Sequence, residues 1–290
     1  MIAARRAAGW LAAFAFLLGL HMLLLARADP VVRHAMIGLG DWPAGAPAMR
    51  LVLMSDTHVT DPDTPPARLA RVVAIVNAQR PDIVLLAGDY VSKKLFATRH
   101  YGARDAIAPL AGLRPRRAVI AVLGNHDAAQ GGIPVTRALQ AARARVLENQ
   151  VVRIGPLAIG GVGDRWTGHG DVRRVVLALR AAGGVPILLG HNPDDFASLP
   201  RDIPLMLAGH THCGQIVLPA YGAIATASGF GDRYRCGIIA EHGARLIVTA
   251  GIGTSLMPLR LGAPPDLWVV DIGPVAPRRP EALATQRYPH

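Results

Sequence analysis

Five short apolar runs of this chain each end in polar side chains that can bind metal ions, and this order constrains the fold more than any other feature. The runs cover residues 51–54, 83–86, 118–123, 187–189 and 205–207. Each is typical of a buried strand, and helical patterns such as residues 67–79 lie between several of them. Strands alternating with helices predict an α/β domain, in which the carboxyl ends of the strands meet where ligands bind.

Composition predicts the segments around this domain. We expect a membrane anchor or signal-anchor over residues 1–28, a linker over 29–48, the domain over 49–273 and a loose tail over 274–290. The linker prediction rests on three prolines, three glycines and no periodic pattern. The tail is rich in proline and charge.

Residues 7–26 are apolar apart from His21. Such a helix rises about 30 Å, enough to cross the hydrocarbon core of a bilayer. Two interpretations remain open: an uncleaved anchor, or a long signal sequence cleaved at Ala26-Arg27-Ala28. The length of the run favours the anchor.

Basic residues predict the orientation of this helix. The α-amine, Arg5 and Arg6 precede the run, and Arg27 and Arg33 follow it. This slight excess predicts an N-terminus inside the cell. We therefore expect a single-pass protein of the bacterial inner membrane with its domain on the extracytoplasmic side, and the sequence leaves the cytoplasmic face open as the alternative.

The net charge of +11 comes almost entirely from arginine, because only two of the 31 basic residues, Lys93 and Lys94, are lysines. The arginines are scattered along the chain, which argues against nucleic-acid binding. A weak attraction to anionic lipid head groups is the simpler expectation for a membrane-tethered chain.

Seven side chains that follow the apolar runs are candidate metal ligands. They are Asp56, His58, Asp89, Asn125, His191, His210 and His212. Carboxylate, imidazole and amide oxygen suit Mn, Fe or Zn. Their number suits two divalent ions with one carboxylate bridging them, and two ions about 3.5–4 Å apart can clamp a phosphoryl displacement. If the segment around residues 210–212 is extended, His210 and His212 point to the same side.

The ordered motifs resemble the calcineurin-like metallophosphoesterase superfamily over residues 51–273. The matching blocks are Asp56-Thr57-His58, Gly88-Asp89, Gly124-Asn125-His126-Asp127, His191 and Gly209-His210-Thr211-His212. Residues 246–253, Pro258-Leu259-Arg260 and Gly214-Gln215 make the chain similar to the membrane-associated bacterial branch of that superfamily. The resemblance implies two packed, mixed β-sheets flanked by helices.

The resemblance also implies a role for each residue. One ion would be bound by Asp56, His58, Asp89 and His212, and the other by Asp89, Asn125, His191 and His210, so that Asp89 bridges. His126 would face the substrate and stabilise or protonate the leaving oxygen, and Asp127 would orient His126. Arg260 is a candidate ligand for a substrate phosphate.

The two cysteines, Cys213 and Cys236, exclude a disulfide scaffold and a four-cysteine zinc site. The sequence leaves a single disulfide between them open. Cys213 departs from the resemblance, because this branch usually has glycine there. We expect a small buried residue without effect, the alternative being a thiolate that oxidises or perturbs the ion at His212.

These features predict a membrane-tethered, dinuclear metal-dependent phosphodiesterase or phosphomonoesterase, for which Mn is the first choice in assays. Its partner is a phosphate-ester substrate, and a tethered site suits an amphiphilic one. A pyrophosphatase acting on a nucleotide-linked lipid such as UDP-2,3-diacylglucosamine is the alternative enzyme. A non-catalytic metal-binding module is the alternative of another class, and the complete ligand set together with His126 argues against it. Nothing in the sequence indicates an oligomeric state.

Overall fold

A computed structural model describes residues 2–275 of the chain. The helices are α1 (Ile2–Arg27), α2 (Pro66–Ala78), α3 (Ala103–Ile107), α4 (Asn125–Ala129), α5 (Ile133–Ala141) and α6 (Val172–Ala182). The strands are β1 (Val31–Leu39), β2 (Met49–Met54), β3 (Thr60–Asp61), β4 (Ile83–Leu86), β5 (Arg99–His100), β6 (Ala118–Ala121), β7 (Ala144–Val146), β8 (Gln150–Ile154), β9 (Leu157–Gly161), β10 (Val185–Leu189), β11 (Leu205–Ala208), β12 (Val217–Leu218), β13 (Gly222–Ala223), β14 (Gly237–Glu241), β15 (Ala244–Val248) and β16 (Asp266–Pro274).

Two six-stranded mixed sheets form the body of the protein. The first has the order β1-β16-β2-β4-β6-β7, and only the β16–β2 pair is antiparallel. The second has the order β14-β15-β11-β10-β9-β8, with antiparallel pairs at its two edges. The predicted α/β fold of two packed mixed sheets flanked by helices is confirmed.

The central strands are apolar on both faces because each sheet lies between two layers. In β2, Leu51 and Leu53 pack into the core between the sheets, whereas Val52 and Met54 pack under the helices of the outer layer. Successive side chains of a strand point to opposite faces, so a strand covered on both faces is apolar at every position. This explains why the runs showed no polar alternation.

Helix α2 shows most clearly how the sequence pattern predicts a helix. It begins at Pro66, where a missing N–H costs nothing, and it ends at Ala78. Its apolar stripe of Leu69, Val72, Val73 and Val76 is buried against the first sheet. The prediction of a helix over residues 67–79 is therefore confirmed to within one residue at each end.

The prediction of a linker over residues 29–48 is wrong for its first half. That segment contains β1, which pairs in parallel with β16 along its whole length. Its buried residues alternate at Ala35, Ile37 and Leu39, but the partner strand lies at the other end of the chain and gives no local signal. The domain therefore begins before residue 49, and it continues through Pro274. The rest of the predicted tail, residues 276–290, lies outside the described residues.

Helix α1 has 26 residues, and its most apolar 18-residue stretch has a mean hydropathy of 2.0, so the helix is long and apolar enough to cross a membrane. Its carboxyl end is bonded to the domain at two places. The backbone N–H of Arg260 donates to the carbonyl of Met22 at 3.0 Å. The buried guanidinium of Arg68 donates to the carbonyls of Arg27 at 3.1 Å and Ala28 at 2.6 Å. The helix is thus joined to the domain by hydrogen bonds to main-chain carbonyls in its last two turns and directly after them.

Candidate metal centre

All seven predicted ligands follow the carboxyl ends of central strands, and both sheets contribute to them. Asp56 and His58 follow β2, Asp89 follows β4, Asn125 follows β6, His191 follows β10, and His210 and His212 follow β11. Six of them are buried and Asn125 is half-buried. The sandwich therefore brings together residues that lie up to about half the chain apart.

The first cluster consists of Asp56, His58 and His212. The Nε2 atoms of the two imidazoles are 3.1 Å apart. Oδ1 of Asp56 lies 3.4 Å from Nε2 of His212 and 3.7 Å from Nε2 of His58. Three ligand-type atoms therefore converge on one small volume.

The second cluster consists of Asp89, Asn125, His191 and His210. Nε2 of His191 lies 3.3 Å from Oδ2 of Asp89, 3.1 Å from Oδ1 of Asn125 and 3.1 Å from Nδ1 of His210. Nδ1 of His191 donates to the carbonyl of Ala87 at 2.7 Å, and this bond turns Nε2 toward the cluster.

Asp89 joins the two clusters. Its Oδ1 accepts the backbone N–H of His126 at 2.9 Å. That bond leaves Oδ2 between the clusters, 3.4 Å from Nε2 of His58 and 3.3 Å from Nε2 of His191. A carboxylate shared in this way has the position that a bridging ligand requires.

Unpaired buried atoms test whether the site suits metal ions. Oδ1 of Asp56 has no hydrogen-bond partner among the described residues, and neither do Nδ1 of His58 and Nε2 of His210. A buried carboxylate oxygen without a partner is costly, and a cation beside it removes that cost. The oxygen and nitrogen donors also match the preference of divalent transition metals. The residues therefore fit the ions that the sequence predicts.

The electrostatics of the site agree with this fit. Burial opposes ionisation of Asp56, but the neighbouring His212 and His58 hold its pKa well below the usual value. Burial lowers the pKa of His191, yet Asp89 and then Asp56 outweigh it and raise that pKa to about 10. The two acids thus draw a positive charge into the site, which a proton on His191 supplies when no ion is bound.

Five of the seven predicted ligands have a left-handed backbone. The φ angles are 52° for Asp56, 41° for His58, 58° for Asp89, 71° for His210 and 50° for His212. Non-glycine residues rarely adopt this conformation, which costs about 1–3 kcal/mol each and clusters at functional sites. The segment that contains His210 and His212 is therefore not extended as predicted. Sharp turns bring both imidazoles to the site.

Two motif glycines allow the loops to approach each other. A Cβ added to Gly124 would collide with Oδ1 of Asp89. A Cβ added to Gly209 would collide with the side chains of Ser55 and Asp56. Only glycine fits at these contacts, which is the physical reason for glycine directly before Asn125 and before His210.

His126 lines the site, and Asp127 does not orient it as predicted. The half-buried ring of His126 meets the ring of His58 edge-on, with centroids 4.7 Å apart, and burial lowers its pKa. The carboxylate of Asp127 instead accepts backbone N–H groups. Both residues lie in the first turn of α4, where successive side chains diverge by about 100°. Asp127 therefore points into the protein while His126 faces the site.

The prediction that Arg260 binds a substrate phosphate is wrong. Its side chain is fully buried. The guanidinium donates to the carbonyls of Gly253, Ala263, Ala250 and Gly251. One of its nitrogens, Nη2, also lies 3.4 Å from Nδ1 of His212. Arg260 thus supports the backbone around the predicted ligand His212.

The open question about the cysteines is answered by a disulfide between Cys213 and Cys236. The disulfide lies directly after the predicted ligand His212, and Cys213 is fully buried. Thr211 donates to the carbonyl of Arg235 at 2.6 Å beside it. The two segments are therefore joined covalently and by hydrogen bonds, and neither cysteine is a free thiolate.

The sequence missed one exposed aromatic residue at the site. Trp166 is 66% exposed, and its ring centroid lies 5.6 Å from that of His210. Its loop is held by the buried Asp164, which accepts the N–H of Thr167 at 2.8 Å. No sequence pattern in residues 163–170 singles out Trp166. A lone tryptophan in a glycine-rich loop is the signal that was available.

Comparison with known proteins places this arrangement in a family. Residues 49–214, more than half of the chain, match the family model described as calcineurin-like phosphoesterase. YkuE of Bacillus subtilis, an uncharacterized metallophosphoesterase, is 31% identical over 238 residues, which cover 78% of this chain and 80% of that protein. Phosphodiesterase YaeI of Escherichia coli is 29% identical over 252 residues, covering 83% of this chain and 87% of that protein.

A vertebrate relative is similar over most of this chain. The transmembrane protein with metallophosphoesterase domain of Danio rerio is 29% identical over 265 residues, which cover 85% of this chain. The match spans 58% of the length of that fish protein. The family match, the bacterial relatives and the two clusters agree, and the chain belongs to the calcineurin-like phosphoesterases as a metal-dependent phosphoesterase hydrolase.

Proposed function

We propose that this protein is a membrane-tethered phosphodiesterase or phosphomonoesterase that works with two divalent metal ions. The position of Asp89 carries the proposal. Its Oδ2 lies 3.4 Å from Nε2 of His58 and 3.3 Å from Nε2 of His191, between two clusters of donors. A shared buried carboxylate is what two adjacent ions require, because their mutual repulsion must be screened.

The ligands divide into two sets. One ion would be held by Asp56, His58, Asp89 and His212, and the other by Asp89, Asn125, His191 and His210. When bound, the ions would polarise the phosphoryl oxygens and neutralise charge in the transition state. Mn, Fe and Zn all suit these donors.

Three residues of the chain would assist the reaction directly or through the backbone. His126 would face the leaving oxygen and, in its protonated form, give it a proton, since its half-buried ring lies beside that of His58. Asp127 would act as a positioning residue by fixing the Asp89 loop. Arg260 would do the same for His212.

We further propose that α1 anchors the protein in the bacterial inner membrane with the domain on the extracytoplasmic side. The length and apolar composition of α1 support the anchor. The Cys213–Cys236 disulfide supports the orientation, because disulfides persist in oxidising compartments and are rare in the cytosol. The disulfide favours this orientation independently of the basic residues on either side of the apolar run.

One observation favours a second candidate, the hydrolysis of a pyrophosphate bond in a nucleotide-linked lipid. The backbone of Arg260 bonds to Met22 in α1, while its side chain lies against His212. The metal centre is thus close to the end of the membrane helix, where a lipid-linked substrate would be presented.

The test uses the full chain purified in detergent without chelators. Metal content is measured on the same sample as hydrolysis of bis-p-nitrophenyl phosphate, p-nitrophenyl phosphate and a nucleotide diphosphate lipid, each with added Mn. We expect two equivalents of metal and Mn-dependent turnover of at least one of the three. Turnover with one ion or none contradicts the dinuclear proposal. Two bound ions without turnover of any of them contradicts the proposed reaction class.

A further inference from the structure

Two loops near the end of α1 expose large apolar side chains. Leu95 is 78% exposed, Phe96 58% and Leu256 70%. The N–H of Leu95 donates to the carbonyl of Leu256 at 3.2 Å, which joins the loops. We refer to Leu95, Phe96 and Leu256 as the apolar patch. Such a group is unusual on a soluble surface and commonly marks a binding face.

The patch rests on a fixed base. Lys94 is buried, and its Nζ donates to both carboxylate oxygens of Asp63, at 2.7 and 2.6 Å. The hydroxyl of Thr254 donates to the same carboxylate at 2.9 Å. Both loops are therefore held by one buried acid directly beneath the exposed residues. The hydrogen bonds to Asp63 therefore fix the two loops that expose the apolar side chains.

The patch is close to the membrane helix. Leu256 precedes Arg260 by four residues, so their Cα atoms are at most about 14 Å apart. The N–H of Arg260 bonds to Met22, which lies inside the apolar run of residues 7–26. Met22 is about 7.5 Å along the axis from Arg27 at the end of α1. If this run is in the bilayer, the loop at Arg260 reaches the depth of the lipid head groups.

The charge of the two loops matches a lipid surface. Residues 92–101 and 254–260 contain no acidic residue. Lys93 and Arg99 are exposed beside the patch. Apolar side chains flanked by basic ones are typical of segments that lie at the boundary between acyl chains and anionic head groups.

From these observations we propose that the apolar patch inserts into the surface of the same bilayer that holds α1. The inference rests on the proposed membrane anchor and adds a second contact to it. Because Arg260 links this region to His212, the two contacts would hold the metal centre at the lipid surface in one orientation. The domain would then not hang from a flexible tether.

Nitroxide labels on the full chain test this inference. Single cysteines are introduced by Leu95→Cys and Leu256→Cys, because the native cysteines are paired in a disulfide. Ile133→Cys is the matched control, since Ile133 is 64% exposed and begins α5, which packs on β7 at the sheet edge opposite β1. Leu17→Cys in α1 is the lipid reference.

Each labelled protein is reconstituted into vesicles of phosphatidylcholine and phosphatidylglycerol. We expect the ratio of collisions with oxygen to collisions with a nickel chelate to be several-fold higher at positions 95 and 256 than at 133. If positions 95 and 256 match position 133 while position 17 is in lipid, the apolar patch does not insert into the bilayer, although α1 still anchors the protein. If position 17 is aqueous, the anchor and the inference both fail. Metal content and ester hydrolysis of the same samples show separately whether the proposed reaction fails.

Discussion

The carboxylate of Asp127 accepts the backbone N–H of Asp89 at 2.7 Å, so the side chain of Asp127 is bonded directly to the main chain of Asp89. The same carboxylate accepts the N–H groups of Tyr90 at 2.9 Å and Gly124 at 3.0 Å. It therefore holds together the two loops that carry Asp89 and Asn125. The geometry of the metal centre depends on a residue that does not face it.

We expect Asp127→Asn to weaken both stability and metal binding. An amide offers one acceptor oxygen in place of two and turns a donor toward the N–H groups, which should lower the free energy of unfolding by about 2 kcal/mol or more. Urea unfolding and metal titration measure the two effects. Asp105→Asn, at an exposed acid of α3, is the control. Unchanged metal affinity in Asp127→Asn would show that the loops do not need this carboxylate.

Asp89→Asn should reduce metal content and turnover together, and more than loss of any single terminal ligand such as His58. A neutral amide bridges two cations poorly, because it removes the negative charge that screens their repulsion. Elemental analysis and ester hydrolysis of Asp89→Asn and His58→Ala, purified in parallel, make the comparison. Retention of two ions and normal turnover in Asp89→Asn would exclude Asp89 as the bridge.

His126→Ala should keep both metal ions while turnover falls about 10²–10⁴-fold, the usual effect of losing one general acid. The loss should be smaller for p-nitrophenyl esters, whose leaving group needs little protonation, and larger for alkyl esters. Metal content is measured on the same samples. Loss of metal in this variant would place His126 among the ligands. Equal impairment on both kinds of ester would show that His126 stabilises charge and does not donate a proton.

Lys94 should make stability depend on alkaline pH. Burial lowers its pKa to about 8, whereas an unfolded lysine titrates near about 10.4. Between these values the unfolded chain binds a proton that the native lysine has lost. The contribution of this group to the free energy of unfolding therefore rises with pH over that interval and is constant below it.

Lys94→Met should flatten this rise, as measured by urea unfolding at several pH values between about 7.5 and 10.5. Lys93→Met provides the matched control, because Lys93 is adjacent and exposed. If both variants keep the slope of the parent protein, Lys94 keeps its ordinary titration in the native state.

Reporter fusions after His290 test the proposed orientation. A periplasm-active reporter should be active and a cytoplasm-active one silent, because the disulfide and the basic residues before the apolar run of residues 7–26 both favour an extracytoplasmic domain. Activity of only the cytoplasmic reporter would show that the domain lies on the cytoplasmic side.

The amino-acid sequence by itself determined the central strands, the order of the predicted ligands and the family. Apolar runs such as residues 83–86 and 187–189 are strands of the same extent or nearly so in the structure. The predicted ligands could be placed at the sheet edge from local pattern alone, because each follows its strand directly. Helix α2 was predictable for the same reason.

Only the tertiary structure decided which distant residues support that site. β1 was hidden because its partner strand is remote, as the ion pair between Arg33 and Asp266, 233 positions apart, illustrates. Asp127 and Arg260 have the motif positions of functional residues, yet burial turns their side chains toward backbone groups. The left-handed turns at five ligands were equally invisible, because a non-glycine residue gives no local sign of positive φ. Such conformations persist only where long-range packing compensates their cost, and that packing is a property of the folded chain.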